Sequence, residues 1–190
     1  DEIIKNDNLH PALNCKLPKS LKIIKFRDFS KEFKKKPDLI VVAVSSKGID
    51  WAGIEISKYY TKKIPILILT KGLSLSENKF IILPEKFRKI LKKNGFKKTN
   101  ITVAKGPCLA VGLANKVRTS VVLANKNISQ AKSIGKMIST NYYTVEFTKD
   151  VIGVEVCSAI KNIYSMLIGA SEGLSRSHSS ALIKNKNHLN

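Results

Sequence analysis

The sequence has 190 residues, 43% of them hydrophobic, and a formal net charge of +20. A chain of this length and composition can bury a core, which excludes an intrinsically disordered protein and predicts one domain or one and a half. Its three cysteines and three histidines have neither the spacing of a disulfide framework nor that of a zinc site, so we expect no metal.

No run of about eighteen consecutive apolar residues is present, and the first residues lack the basic and then apolar order of a signal peptide. We therefore expect a cytoplasmic protein without membrane insertion. Only four of the 34 basic residues are arginines, although the recognition of phosphates and bases favours Arg. We interpret the lysines as a solvated surface and expect no nucleic-acid partner; a lysine-rich module that binds nucleic acid or an anionic membrane stays the alternative.

Short apolar, β-branched runs alternate with longer helical patterns from about residue 20 onward, and this alternation predicts βα units around a parallel sheet. The continuous apolar run at 38–44 is typical of a central strand that is covered on both faces. The predicted elements, in chain order, are a strand at 23–26, a helix that begins at 28 or 30, a strand at 38–44, a helix at 49–60, a strand at 64–70, a looser segment at 73–83, a helix at 84–95, a strand at 100–104, a short helix after 106–107, a strand at 118–124, a helix at 128–140, a strand at 142–147 and a helix at 151–170.

The character of the sequence changes near residue 149. Asp150 can cap a new helix, and the mostly apolar run that follows has nothing strand-like after it. We therefore predict an α/β domain over residues 1–149 and the first helices of an all-α domain over 150–190, with a polar tail at 184–190 that frays.

The run 151–170 contains a single lysine, Lys161, in a chain that places lysines almost everywhere else. A helix that is apolar nearly all round belongs in a protein interior, so we expect this ammonium to be buried. A desolvated lysine has a lowered pKa and can transfer protons at neutral pH. Glu155 is six positions away and cannot neutralise Lys161 within the helix. The pattern leaves open whether Lys161 is catalytic or a structural lysine paired across the domain boundary.

Two further segments follow predicted strands. Thr70-Lys71-Gly72 ends a buried strand, and the carboxyl ends of parallel strands line the ligand crevice of an open sheet. Lys71 is therefore either a ligand-binding residue or a solvated turn residue. The segment 105–110 opens a short helix whose N–H groups suit an anion, although Gly-Pro turns are common in loops.

The chain resembles the NAD(P)-dependent glycerol-3-phosphate dehydrogenase family in three segments, which are Thr70-Lys71-Gly72, Gly106-Pro107-Cys108-Leu109-Ala110, and Val151-Ile152-Gly153-Val154-Glu155 through Ala159-Ile160-Lys161-Asn162. The third is long and specific. The resemblance implies an incomplete Rossmann-type doubly wound nucleotide-binding domain and the start of a helical substrate domain. It also implies an enzyme that interconverts dihydroxyacetone phosphate and sn-glycerol 3-phosphate by hydride transfer with NAD or NADP, supplies glycerol phosphate for phospholipid synthesis, and could form a homodimer.

The same resemblance implies roles for individual residues. Lys161 would exchange a proton with the carbonyl oxygen, Asn162 would help to hold the substrate, and Lys71 would contact both substrate and cofactor and supply positive charge. The remaining matches are Gly106 and Cys108 as substrate contacts, and Ala110 and Ser45 as cofactor contacts.

The sequence also departs from the family pattern. The Gly-x-Gly-x-x-Gly turn and the later Ser-Arg-Asn motif are not found in these 190 residues. We therefore expect roughly 30 further residues of the fold ahead of this segment, and little activity from the segment alone. Cys108 stands where Ser is usual, and Ser45 where Pro is common. A related dehydrogenase that acts on another small hydroxy acid is a third hypothesis.

Overall fold

The computed structural model describes residue 3 and residues 7–61, 64–76 and 78–186, the stretch 176–186 by its backbone only. The described chain begins with a small antiparallel pair, β1 (Leu9–His10) and β2 (Cys15–Lys16). A 3-10 helix at Phe26–Asp28 and α1 (Phe29–Phe33) follow.

The strand expected at 23–26 is wrong, because the aromatic side chains there pack with helical spacing. The rings of Phe26 and Phe29 stack with centroids 5.8 Å apart, and Phe26 lies 5.1 Å from the ring of Trp51. Side chains three residues apart meet on one side of a helix but point to opposite faces of a strand. The aromatic packing therefore overrides the β-branched pattern.

The other described strands are β3 (Ile40–Val42), β4 (Ile66–Ile68), β5 (Leu73–Ser76), β6 (Lys79–Ile82), β7 (Ile101–Lys105), β8 (Thr119–Ala124) and β9 (Tyr143–Thr148). A second 3-10 helix lies at Ser46–Gly48, and the other described α-helices are α2 (Ile49–Ser57), α3 (Leu83–Lys93), α4 (Ala110–Ala114), α5 (Ile128–Ile138) and α6 (Val151–Lys186). With the exception of β5, β6 and this 3-10 helix, each of these elements overlaps one that was predicted from the sequence.

Among the described residues, five strands form the central sheet in the order β3-β4-β7-β8-β9. β3, β4 and β7 are parallel to one another, as are β8 and β9, but β7 and β8 pair antiparallel. The parallel sheet expected from the sequence is therefore interrupted at this junction. The connecting helix α4 has five residues, or about 8 Å of helix, which is too short to return along the sheet for a parallel crossover.

The segment 73–83, expected to be loose, forms the β5–β6 hairpin instead. Leu73 pairs with Ile82 and Leu75 with Phe80, and Asn78 adopts a left-handed conformation in the turn, with φ of 59°. Leu75 and Phe80 are exposed. The hairpin tip is thus held by main-chain pairing, which an apolar pattern in the sequence does not reveal.

Helices cover both faces of the sheet. Ile66 and Ile68 of β4 pack against a core formed with α2 and α3, whereas Leu67 packs against a second core formed with α5. This alternation follows the period of two along a strand. It confirms the predicted α/β class and the burial predicted for the strand at 64–70. The prediction of a central strand covered on both faces at 38–44 is wrong, because β3 lies at the edge of the described sheet and its Val41 is 48% exposed.

α6 leaves the sheet after its first turns. Asp150 caps it, since the Asp150 Oδ1 accepts a hydrogen bond from the Gly153 N–H at 2.8 Å, and Val151 and Val154 pack on the core of α2 and α3. From Lys161 to residue 175 every side chain is exposed. The interior position expected for this helix is therefore wrong within the described residues, because the sheet covers only its beginning. The exposed apolar side chains of this part are Ile163, Tyr164, Met166, Leu167, Ile168 and Leu174.

The helix is also longer than predicted. It continues to Lys186, so the fraying expected at 184–190 does not occur at 184–186, and residues 187–190 lie outside the described residues. Its segment Val151–Ser175 is long and apolar enough to cross a membrane by length and composition only. No eighteen consecutive residues of this segment are all apolar, but its mean hydropathy is high in spite of the isolated polar residues. The absence of membrane insertion stays a prediction.

Candidate functional site

The carboxyl ends of β3, β4 and β7 lie at one edge of the sheet, because these strands are parallel. Ser45 follows β3, Lys71 follows β4 and Gly106 follows β7. Thr70 ties two of these ends together, since its Oγ1 donates a hydrogen bond to the Val44 carbonyl at 2.7 Å. The fold therefore brings these three predicted site residues to the edge where open α/β sheets bind ligands.

A buried ion pair joins this edge to α6. Lys105 is the last residue of β7, and its Nζ lies 2.9 Å from Oε1 of Glu155. The two side chains are 3% and 0% exposed. The Lys105 Nζ also donates a hydrogen bond to the Thr70 carbonyl at 2.6 Å. One ammonium group thus connects β7, β4 and α6.

Burial acts in opposite directions on the two ionised groups, because it removes water from both charges. It lowers the pKa of Lys105, an effect that Glu155 opposes and that the positive charge of Lys71 reinforces. It raises the pKa of Glu155 against the influence of Lys105.

An open cavity of about 320 Å³ lies between this edge and α6. That volume is at the lower end of the range for small-ligand pockets. Two lysines line it, Lys105 from β7 and Lys161 from α6. The other lining residues are Gly106, Pro107, Val122, Val154, Cys157 and Ser158.

Lys161 and Asn162 are exposed on α6. The burial expected for Lys161 is therefore not found, because no described segment covers this part of the helix. Lys161 nevertheless faces the same cavity as Lys105. Glu155 forms its ion pair with Lys105, and no described carboxylate forms one with Lys161 or Lys71. The positive charges of Lys161 and Lys71 are thus left for a ligand.

The connection after β7 forms one wall of the cavity. A Cβ at Gly106 would lie 2.9 Å from the Ser120 carbonyl oxygen, so only glycine allows the chain to pass this close to β8. Cys108 is half-buried. Ala110 is the exposed first residue of α4. Since α4 has five residues, the anion site expected at its start has little helix dipole behind it.

Sequence analysis did not assign roles to Lys105, Glu155 and Ser158. Both carboxylate oxygens of Glu155 and the Ser158 Oγ are buried and form no hydrogen bond with the described residues, although Oε1 lies in the ion pair with Lys105. Periodicity contained a signal for all three. Lys105 is two residues after the buried Val103 on a strand, and Glu155 and Ser158 are four and seven residues after Val151 on the docked face of a helix.

Open α/β sheets bind nucleotides at this edge, and polar residues of two adjacent strand ends are exposed here. Ser45 and Lys71 are exposed at the ends of adjacent parallel strands. A Cβ at Gly72, whose φ is 123°, would lie 3.6 Å from the Cβ of Ser46, so the two turns form one wall. The unpartnered Ser158 hydroxyl lies on the neighbouring cavity. The pyrophosphate end would need the glycine-rich turn, which these 190 residues do not contain.

Comparisons with known proteins agree with this geometry. The model of the NAD-dependent glycerol-3-phosphate dehydrogenase N-terminus matches residues 3–131. A glycerol-3-phosphate dehydrogenase (NAD(P)+) from Francisella tularensis subsp. novicida is 29% identical over 177 residues, which cover 92% of this chain and 50% of that protein. An NADP(+)-dependent glycerol-3-phosphate dehydrogenase from Archaeoglobus fulgidus is 29% identical over 136 residues, which cover 72% of this chain and 39% of that protein.

A solved structure shows the same architecture. The crystal structure of glycerol-3-phosphate dehydrogenase from Coxiella burnetii superposes with a TM-score of 0.71 and 26% identity, covering 85% of this chain and 46% of that chain. The present sheet and helices are therefore part of a Rossmann-type fold. The chain spans half or less of the length of these relatives. Since the family model matches more than half of its residues, the chain belongs to the family of NAD-dependent glycerol-3-phosphate dehydrogenases.

Proposed function

We propose that this protein, in its full encoded length, is an oxidoreductase that interconverts dihydroxyacetone phosphate and sn-glycerol 3-phosphate with NAD or NADP. The observation that supports this most directly is the position of Lys161 and Lys105 on one small cavity at the carboxyl edge of a sheet of this family. Unpaired positive charge and a small volume suit an anionic three-carbon substrate. The names of the relatives agree with this activity.

The chemistry assigned to this chain is proton transfer and charge stabilisation. Bound NAD(P)H supplies the hydride, and NAD(P)+ accepts it in the reverse direction. Lys161 donates a proton to the carbonyl oxygen during reduction and removes the hydroxyl proton during oxidation. The ketone, one hydride and one proton together give the secondary alcohol. Lys71 supplies positive charge beside the oxygen as it gains alkoxide character. Asn162, next to Lys161, helps to hold the substrate.

The other matched positions complete the proposed site. Gly106 and Cys108 contact the substrate from the wall after β7, where the thiol of Cys108 replaces a stronger hydrogen-bonding hydroxyl. Ser45 and Ala110 contact the cofactor, together with Lys71. Their common location at the edge formed by β3, β4 and β7 supports these assignments.

Residues 1–149 are proposed to be the remainder of the nucleotide-binding domain, and 150–190 the start of the helical substrate domain. The last strand of the sheet ends at Thr148 and α6 begins at Val151, which supports a boundary between them. We further propose a cytoplasmic enzyme, a homodimer, that supplies glycerol phosphate for phospholipid synthesis. A lysine-rich binding module and a dehydrogenase for another hydroxy acid are not favoured, because the relatives are named for glycerol 3-phosphate.

The proposal is tested by the oxidation of NADH or NADPH when dihydroxyacetone phosphate is added to the full-length protein. Lys161→Met is expected to lower kcat by about 10²- to 10⁴-fold, because the proton donor is lost. Lys136→Met is the matched control, since Lys136 is an exposed lysine of α5 on the other face of the sheet. Unchanged turnover in Lys161→Met would remove Lys161 from the mechanism. A wild-type protein without turnover with either cofactor would overturn the proposed function.

A further inference from the structure

Lys105 has a hydrogen-bond donor that the fold does not use. Its ammonium group carries three N–H bonds. The Thr70 carbonyl accepts one of them at 2.6 Å, and the Glu155 Oε1 lies 2.9 Å from the nitrogen as its ion-pair partner. Within the described part of the chain no third acceptor is bonded to this nitrogen, and Lys105 lines the cavity. The third N–H is therefore available to an oxygen atom of a bound ligand.

Ser158 offers a second unused group at the same cavity. Its Oγ is buried and lacks a hydrogen-bond partner in the described structure. It lies on α6 one turn after Glu155, and it lines the cavity together with Lys105. A hydroxyl group both donates and accepts, and a buried hydroxyl without a partner is unfavourable. A ligand oxygen between Lys105 and Ser158 would satisfy both residues.

Charge indicates which ligand oxygen this pair of residues would bind. Glu155 neutralises Lys105, so their ion pair presents an N–H donor without net charge. Lys161 lines the cavity and has no described carboxylate partner, so it provides net positive charge there, and Lys71 adds positive charge at the neighbouring strand end. An anionic group is attracted to that net charge, whereas an uncharged oxygen needs only a donor and an acceptor.

We propose that Lys105 and Ser158 bind the free primary hydroxyl of the three-carbon substrate, with Glu155 as the positioning residue that holds the Lys105 ammonium. This inference rests on the proposed function. The hydroxyl oxygen accepts a hydrogen bond from the Lys105 Nζ, and the hydroxyl proton is donated to the Ser158 Oγ. The subsite therefore distinguishes dihydroxyacetone phosphate from hydroxyacetone phosphate, which is the same ketone without this hydroxyl.

The two substrates provide the test on the full-length protein. The wild type is expected to prefer dihydroxyacetone phosphate in kcat/KM by about 10- to 100-fold, the value of a hydrogen bond to a charged group. Lys105→Met/Glu155→Leu removes both charges together, so no unpaired buried charge remains, and the preference is expected to fall to within about 3-fold. Ser158→Ala is expected to lower it by about 2- to 10-fold.

A purely structural role would affect both substrates equally. A preference that is unchanged in both variants would therefore overturn the inference. The control is Lys126→Met, which makes the same chemical change at an exposed lysine beyond the opposite edge of the sheet and is expected to leave the preference unchanged. A preference lost in this control as well would also overturn it.

A binding measurement separates this inference from the proposed function. The side-chain ammonium signal of Lys105 in a ¹⁵N–¹H spectrum is assigned by its loss in Lys105→Met/Glu155→Leu and followed while dihydroxyacetone phosphate is added. A shift of this signal is expected. A shift without turnover would support the contact and overturn the proposed function. Turnover without a shift would overturn the contact alone, and the absence of both would overturn both.

Discussion

The ion pair between Lys105 and Glu155 makes a testable prediction about stability. The ion pair is removed by three variants, which are Lys105→Met, Glu155→Leu and the double variant Lys105→Met/Glu155→Leu. At 2.9 Å and an effective dielectric constant of about 20, the attraction between the two charges is about 6 kcal/mol. Taking each ion out of water costs several kcal/mol, so the intact pair contributes little net stability.

Breaking the pair has a larger effect than its net contribution, because one charge stays buried without a partner. Each single variant is expected to lower the free energy of unfolding by about 3–5 kcal/mol. The double variant leaves no buried charge and loses mainly the hydrogen bond to the Thr70 carbonyl, about 1–3 kcal/mol. The double variant should therefore be more stable than either single variant.

The assay is urea unfolding followed by far-ultraviolet circular dichroism, with the midpoints compared at an unchanged slope. Lys86→Met is the matched control, since the Lys86 Nζ lies 2.7 Å from the Asp50 Oδ2 but the pair is on the surface. Its loss is expected to cost about 0–1 kcal/mol. A double variant that loses the sum of the two single effects would show that the two groups do not interact, which would refute the geometry of the site.

Three further predictions concern pH, packing and capping. The unfolding free energy of the wild type minus that of Lys105→Met/Glu155→Leu should pass through a minimum as pH rises. The raised pKa of Glu155 lets the folded state keep a proton that the unfolded chain loses near pH 4.5, so this difference falls as pH rises to the folded pKa of Glu155. The lowered pKa of Lys105 makes the folded state lose a proton that the unfolded chain keeps until near pH 10.5, so the difference rises again. A curve with one direction only, measured by urea unfolding across pH, would contradict this. Gly106→Ala should destabilise the protein by about 1–3 kcal/mol in thermal unfolding, because main-chain atoms of β8 lie 2.9 and 3.0 Å from the added Cβ. Gly112→Ala is the control and should stabilise the protein by about 0.5–1 kcal/mol, since no atom lies closer than 3.8 Å to its added Cβ. Equal effects of the two substitutions would argue against the close approach at Gly106. Asp150→Ala should cost about 0.5–2 kcal/mol through loss of the cap of α6, and Asp150→Asn much less, so identical unfolding midpoints for these two variants would contradict a capping role.

The sheet and most helices were predictable from the sequence because a strand or helix that packs on a core leaves a local apolar pattern. Continuous apolar runs at 38–44 and 64–70 correspond to β3 and β4, and Asp150 marks the start of α6. The predictions were wrong where contacts between residues distant in the sequence determine the local structure. The aromatic cluster around Trp51 converts 26–28 into a 3-10 helix, and an apolar composition alone could not show that α6 extends beyond the described sheet.

The candidate site was predicted only in part, for a similar reason. The resemblance supplied Lys71, Lys161 and Gly106, and the fold brings them to one edge or one cavity. The ion pair of Lys105 and Glu155 joins residues that are fifty positions apart, and no local pattern links them. Periodicity could have shown that each side chain points inward, but only the docking of α6 on the sheet shows that they meet.

The reversed direction of β8 has a consequence for how the candidate site could diverge. A parallel strand would have required the connection after β7 to travel to the far end of the sheet. Since β8 runs antiparallel, residues 106–118 remain on the ligand side throughout. Substitutions or insertions in this loop can therefore reshape the cavity between the sheet and α6 while the strand register stays intact, which makes the loop a natural place for divergence among related chains and for engineering altered ligand selectivity.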